Sequence, residues 1–242
     1  MQENANPKKF FLLDLDRCLL DLNETMRRYN ELVTQQYFSI GPRLDRASRT
    51  AVVNGDSFDT YKYLAVELGD RAVEELNARF VKSVKSSSLL NPGAKELMEH
   101  LALSEHEYGI LTYGSLRWQE FKLRASRLDR VPHLVTSQKE KGNLIASWQR
   151  PSGEFSIPGQ LLAYIGQPAL FPSVILVDDK PDSFTGLPLG ARGYLYQNPR
   201  YEILSSQQGE VSSRVTIIND LRQVVDIEQL SDNQALPMAA MS

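Results

Sequence analysis

Three short apolar runs, each closed by a residue suited to chemistry, constrain this chain more than any other feature. Phe10-Phe11-Leu12-Leu13 ends at Asp14, Tyr108-Gly109-Ile110-Leu111 ends at Thr112, and Val174-Ile175-Leu176-Val177 ends at Asp178-Asp179. Four apolar residues are too few for a buried helix, and none of the runs alternates with polar positions. Strands covered on both faces, as in a parallel sheet, have this pattern. Weaker strand candidates lie at 133–136, 193–196 and 215–218. Amphipathic stretches fall between them. One spans 92–103, with Asn91 as cap and Pro92 in the first turn. Another spans 115–128, starting at a serine cap, with Leu116, Trp118, Phe121, Ala125 and Leu128 as its apolar stripe. Strand, helix, strand in this rhythm predicts a Rossmann-like parallel α/β sheet flanked by helices.

One stretch breaks the rhythm. Residues 22–90 contain three helical patterns, at 24–38, 58–68 and 72–84, and no convincing strand. This is read as a helical cap inserted after the first strand and packed over the sheet edge. The expected division is a core of residues 1–21 and 91–230, a cap of 22–90 and a tail of 231–242. Residues 1–8 read as a loose start, and 150–159, with two prolines and two glycines, as a loop. No solenoid-length repeat or low-complexity tract is present.

The 242 residues suit one domain of ordinary size with a small insert. With 27 Lys plus Arg against 30 Asp plus Glu, the net charge is -3, which argues against general binding to nucleic acid or anionic membranes. Cys18 is the only cysteine, so an internal disulfide is excluded and a reducing compartment is the simpler reading. No apolar run reaches membrane-spanning length, and the start is too polar for a secretory signal. A soluble cytoplasmic protein is expected.

In an open parallel sheet, ligands bind beyond the carboxyl ends of the strands. Asp14 and Asp16 flank Leu15, so both carboxylates can approach one small volume as the chain leaves its strand. Carboxylates that close repel unless a cation or a shared proton relieves them. Asp178 and Asp179 add a second acidic pair at another strand end. Acids without a histidine or cysteine cluster suit a hard cation such as Mg²⁺, not zinc. His100, His106 and His133 are scattered without ligand spacing. Arg117, Lys122, Arg124, Arg127 and Arg130 lie on one predicted helix and are expected to form a solvated face, with Trp118 and Phe121 in the core.

These residues resemble the motifs of the haloacid dehalogenase superfamily of phosphohydrolases. The Asp-x-Asp motif is matched by Phe10-Phe11-Leu12-Leu13-Asp14-Leu15-Asp16, and the Thr-ended strand by Ile110-Leu111-Thr112. The acid-pair strand is matched by Val174 to Asp179, and the motif lysine by Lys141, with Lys139 as its rival. The resemblance spans roughly residues 9–218 and sets the insert in the place of the family's C1-type cap. It implies that Asp14 attacks phosphorus to form an aspartyl-phosphate and that Asp16 acts as general acid, then base. It implies that Thr112 holds phosphoryl oxygens and that Lys141 offsets negative charge. Mg²⁺ would be held by Asp14, the Asp16 backbone carbonyl, Asp178 and Asp179. The implied activity is Mg²⁺-dependent hydrolysis of a phosphate monoester on a small phosphorylated metabolite, with no nucleic-acid or membrane partner. Two readings stand beside it: a phosphoryl transferase of the same superfamily, and a catalytically degenerate binding or regulatory protein. Oligomeric state, substrate and pathway are not legible.

Overall fold

A computed structural model of the chain describes residues 8–53, 58–104, 106–162, 170–201 and 212–234. The segments expected to form the loose start and the chain's last eight residues, 1–7 and 235–242, lie outside the described residues. Strand β1, Lys9–Leu13, is followed by four helices: α1 (Leu22–Gln36), α2 (Gly41–Val53), α3 (Thr60–Leu68) and α4 (Asp70–Ser83). The chain then alternates through α5 (Ala94–Leu103), β2 (Glu107–Tyr113), α6 (Leu116–Ser126), β3 (His133–Thr136) and α7 (Lys141–Ser147). A two-residue ladder, β4 (Phe155–Ser156) with antiparallel β5 (Leu170–Phe171), precedes β6 (Ser173–Asp178), β7 (Ala191–Tyr196), β8 (Val215–Ile218) and α8 (Arg222–Gln234).

Six strands form one wholly parallel sheet in the order β3-β2-β1-β6-β7-β8. The winding reverses between β1 and β6, so the crevice beyond their carboxyl ends is the natural ligand position of this topology. Both faces are covered. On one, Phe11, Leu13, Ile175 and Val177 pack with Leu97 of α5, Phe121 of α6 and Val224 of α8. On the other, Phe10, Leu12, Val174 and Leu176 pack with Ile145 of α7, Phe155, Phe171 and Phe184. That two-sided burial explains why the strand runs lack polar alternation.

The helices between β1 and α5 join the first of these cores. Tyr29 of α1 meets Phe80 of α4 at 5.3 Å and Trp118 and Phe121 of α6 at 5.4 and 5.1 Å between ring centroids. Trp118 stacks on Phe121 at 4.8 Å. The Tyr29 hydroxyl donates to Asn77 Oδ1 at 2.7 Å, which gives its polar end a partner inside the cluster. Arg117 Nη1 donates to the Tyr61 hydroxyl at 3.0 Å, tying the first turn of α6 to α3.

Several sequence expectations change. Among the described residues the insert has four helices, not three. α2 was hidden by Gly41-Pro42, which reads as a breaker, yet proline is compatible with a helix's first turn. The stretch 150–159 is not all loop, because Phe155–Ser156 pairs as β4 and Gly159 opens a short 3₁₀ turn. The tail does not begin at residue 231, since α8 continues to Gln234. Leu116, expected on the apolar stripe of α6, is exposed, whereas Trp118, Phe121, Ala125 and Leu128 are buried.

Asn91 does not cap a helix with its side chain. α5 starts at Ala94, with Gly93 in the capping position at φ 81°. The Asn91 amide instead donates to the carbonyls of Arg17, Cys18 and Leu20 at 3.0, 2.8 and 3.1 Å. Its oxygen accepts from Asn198 Nδ2 at 3.1 Å. One buried side chain thus holds the turn after β1, where Arg17 adopts a left-handed φ of 62°. Asn91→Ala leaves those buried carbonyls without their donor and should lower stability by about 2–4 kcal/mol, each such group costing roughly 1–3 kcal/mol when left unmade. Urea unfolding measures the loss.

Candidate functional site

β1 and β6 are adjacent, with Leu13 opposite Val177. The ladder continues one residue further, as the Asp14 amide donates to the Val177 carbonyl at 2.9 Å. Register alone therefore brings Asp14 beside Asp178. Oxygens of Asp14, Asp178 and Asp179 lie within 4.8 Å of one another. Lys141, the first residue of α7, inserts between them. Its Nζ donates to Asp14 Oδ1 and, at 2.6 Å, to Asp178 Oδ2. The lysine is 2% exposed, so its charge is held by these carboxylates and not by water. Lys139, the rival, places its Nζ 5.9 Å from the ring centre of Tyr113.

α7 can seat Lys141 so deeply because Gly142 follows it. A Cβ on Gly142 would lie 2.4 Å from the Thr185 carbonyl oxygen and 2.8 Å from the Leu187 amide. Gly142→Ala should therefore cost about 1–3 kcal/mol by overpacking against backbone, read from the urea midpoint.

Burial pushes the Asp14 carboxyl up to about 6; Lys141 opposes the rise, and the charge of Asp178 reinforces it. Burial, then the charges of Asp178 and Asp14, raise Asp179 well above the ordinary carboxylate range. Burial would depress Lys141, but the two aspartates it bridges more than reverse this and raise it. Asp178 is fully engaged, one oxygen with Lys141 and the other accepting the Lys180 amide at 2.9 Å. Asp179 Oδ1 is buried without a partner among the described residues. Three crowded carboxylates, one with an orphaned oxygen and two with raised pKa, suit a hard divalent cation, and Asp179 is the most available ligand.

Asp16 is placed differently. Its Oδ2 accepts from Lys122 Nζ and, at 3.2 Å, from Gln119 Nε2, both on α6. Burial would raise its pKa, but Lys122 and Gln119 outweigh this and lower it. The solvated basic face expected of α6 is thus wrong at one position. Lys122 is 2% exposed and faces the site, because it shares the inner edge of the helix with Gln119 and Ser126. Arg117 and Arg124 are exposed, as expected. Thr112 is fully buried at the end of β2, and its hydroxyl has no partner among the described residues.

Sequence reasoning missed Gln119, Lys122 and Asn91. Three-residue spacing from Gln119 to Lys122 was the available signal, but the surrounding arginines masked it.

No family model and no curated protein matches the chain. Solved structures do. A haloacid dehalogenase-like hydrolase from Burkholderia xenovorans superposes with a TM-score of 0.63 at 14% identity, over 93% of this chain and 98% of that one. The HAD-hydrolase YfnB from Bacillus subtilis, bound to magnesium, gives 0.53 at 14% identity, over 92% and 99%. A dehalogenase solved with an intermediate complex gives 0.50 at 17% identity, over 92% and 98%.

The raised Asp14 pKa has a stability consequence. A carboxyl that titrates at about 6 when folded, against an ordinary aspartate value of 3.8, binds its proton more tightly in the folded state. Its contribution is therefore favourable at low pH and is lost as pH rises through that window. In EDTA, the stability of Asp14→Asn relative to wild type should increase between pH 4 and 7, followed by urea unfolding. A flat difference across that range contradicts the assignment. With its six-stranded parallel sheet, reversal at β1/β6 and acidic crevice there, the chain has the haloacid dehalogenase-like hydrolase fold.

Proposed function

We propose that the chain is a phosphohydrolase of the haloacid dehalogenase superfamily, acting on a small-molecule phosphate monoester through an aspartyl-phosphate on Asp14. The observation that carries this reading is the joint placement of Asp14, Lys141, Asp178 and Asp179 at the reversal point of the sheet, with Asp16 held separately by Lys122 and Gln119. An Asp14 oxygen attacks phosphorus in line and the alcohol oxygen departs. Asp16, having taken up a proton from solvent, gives it to that oxygen and, left as the carboxylate, takes one from the water that cleaves the acyl phosphate. Thr112 Oγ donates to a phosphoryl oxygen, which would give its orphaned hydroxyl a partner. Lys141 holds Asp14 in its attacking orientation and offsets charge as the oxygens crowd together. Asp14, Asp178, Asp179 and the Asp16 carbonyl would hold Mg²⁺, which would supply positive charge to offset that of the phosphoryl group.

Dehalogenation is the rival, since one structural neighbour is a dehalogenase. A halide leaves without a proton, so that chemistry gives Asp16 and its two donors nothing to do. The paired acids likewise suit a cation and a phosphoryl group. A phosphoryl transferase would use the same first step and differ only in the acceptor. The helices of residues 22–90 serve as the cap, excluding water from the first step. A single buried cysteine fits a reducing, cytoplasmic setting.

The test is a panel of phosphorylated metabolites and p-nitrophenyl phosphate, assayed for released phosphate with Mg²⁺ and with EDTA. Turnover should require Mg²⁺, and Asp14→Asn should remove at least roughly 10³-fold of it while the protein stays folded. Halide release from 2-haloacids without phosphate release would reverse the assignment.

A further inference from the structure

Seven buried side-chain polar atoms are without a partner among the described residues, and five of them belong to Asp16, Thr112, Ser115, Gln119 and Asp179. Four of these five residues lie on β1's following turn or on the segment running from β2 into α6. On Asp16 the two oxygens are unequal. Oδ2 receives both Lys122 and Gln119, whereas Oδ1 is buried and receives nothing. Gln119 is itself fixed. Its Nε2 also donates to the Tyr113 carbonyl at 2.7 Å, and it lies against Gly114, where a Cβ would come within 2.5 Å of that nitrogen. Gly114 has a φ of +147°, so a side chain there is doubly disfavoured. Lys122 Nζ lies 5.8 Å from the Trp118 ring centre, with the indole belonging to the aromatic cluster that joins α6 to α1 and α4. Both donors are therefore rigidly backed.

A buried lysine–aspartate pair contributes little net stability, because desolvating two charges offsets most of their attraction. Stability alone does not account for placing one against a residue of the reacting group. Two donors on a single oxygen do, however, remove the rotational freedom of a carboxylate.

We propose that Lys122 and Gln119 are positioning residues that grip one oxygen of Asp16 so that the other is presented to the leaving-group oxygen of the substrate. The inference rests on the phosphohydrolase reading and deepens it. Oδ2 is the anchored atom, and Oδ1 carries the proton to the departing oxygen. The contribution is selective: a phenol with electron-withdrawing groups departs without help, whereas an alkyl alcohol departs only as it is protonated. Loss of the grip therefore harms alkyl phosphates far more than p-nitrophenyl phosphate.

The experiment compares kcat/KM, which reports the first chemical step, for p-nitrophenyl phosphate and a simple alkyl phosphate such as glycerol phosphate. Wild type, Lys122→Met, Lys122→Arg and Gln119→Met are assayed with Mg²⁺. Lys122→Met should lose roughly 10²-fold on the alkyl ester and under roughly tenfold on the aryl ester, within the usual span of proton-transfer catalysis. Gln119→Met should show the same selectivity at smaller size, and Lys122→Arg should recover most of the alkyl activity. Equal losses on both esters, as a general structural defect would give, overturn the proposal. Crystal structures of wild type and Gln119→Met, or Lys122→Met where it folds, decide independently of turnover. The Asp16 carboxylate should rotate once a donor is removed, and an unmoved carboxylate overturns the proposal. A wild type without activity on any phosphate overturns the phosphohydrolase reading alone, and the crystallographic comparison still decides the grip.

Discussion

Crowding of negative charge at the reversal point of the sheet is the constraint on which the rest of this molecule depends. Parallel pairing of β1 with β6 forces Asp14 next to Asp178, and Asp179 follows by chain connectivity. At these separations in a poorly solvated crevice, carboxylates repel by several kcal/mol at an effective dielectric near 20. The charge of Lys180 acts on all three acids, and Lys141 shares one ammonium between two of them. It does not cover Asp179, which retains an orphaned oxygen and a strongly raised pKa. Burial and mutual repulsion raise Asp14 and Asp179, and a cation entering the crevice would relieve both.

Asp16 obeys a different electrostatic rule although it is only two residues from Asp14. Its cation, Lys122, comes from α6 rather than α7, and together with the Gln119 amide it lowers the pKa of Asp16, whereas Asp14 stays raised. Two nearby carboxyls whose environments push them apart are suited to different roles. The separation is produced by the turn after β1. Arg17 takes a left-handed φ, Leu20 donates to the Leu15 carbonyl at 2.8 Å, and Asn91 ties three carbonyls of the turn from across the chain. The turn aims the Asp16 carboxylate at Gln119 and Lys122 of α6.

The sheet and its acidic rim were legible because burial on both faces writes itself into uninterrupted apolar runs, and the runs end where the chemistry begins. Phe10 to Asp14 and Val174 to Asp178 needed no knowledge of pairing to be read as strands. Lys141 was legible through its place in a motif order, although its insertion between Asp14 and Asp178 depends on Gly142 and on the backbone of residues 184–187, which nothing local announces. Lys122 was not legible. Its neighbours Arg117, Arg124 and Arg127 make a basic helix look uniformly solvated, and only the direction in which α6 docks reveals that one of these cations points inward. Asn91 misled for a similar reason, since Asn-Pro has a strong local meaning as a helix start. Here three long-range carbonyls claimed its amide instead. α2 was lost to a Gly-Pro pair that locally signals a break.

α6 links the two halves of the structure, and this has a consequence for how the helical insert relates to the crevice. Trp118 and Phe121 on one side of α6 are packed with Tyr29 and Phe80 of the insert, while Gln119 and Lys122 on the adjoining edge hold Asp16. Helix residues one or two positions apart project in different directions, so a single helix can serve both tasks without compromise. Trp118 joins them, with its ring near both Tyr29 and the Lys122 ammonium. Any displacement of the insert that drags α6 must therefore either break an aromatic cluster of five close ring pairs or shift the donors on Asp16. Packing of this density resists small continuous deformation. The geometry of the Asp16 carboxylate is accordingly set by the same contacts that seat the insert, and the two cannot be tuned independently.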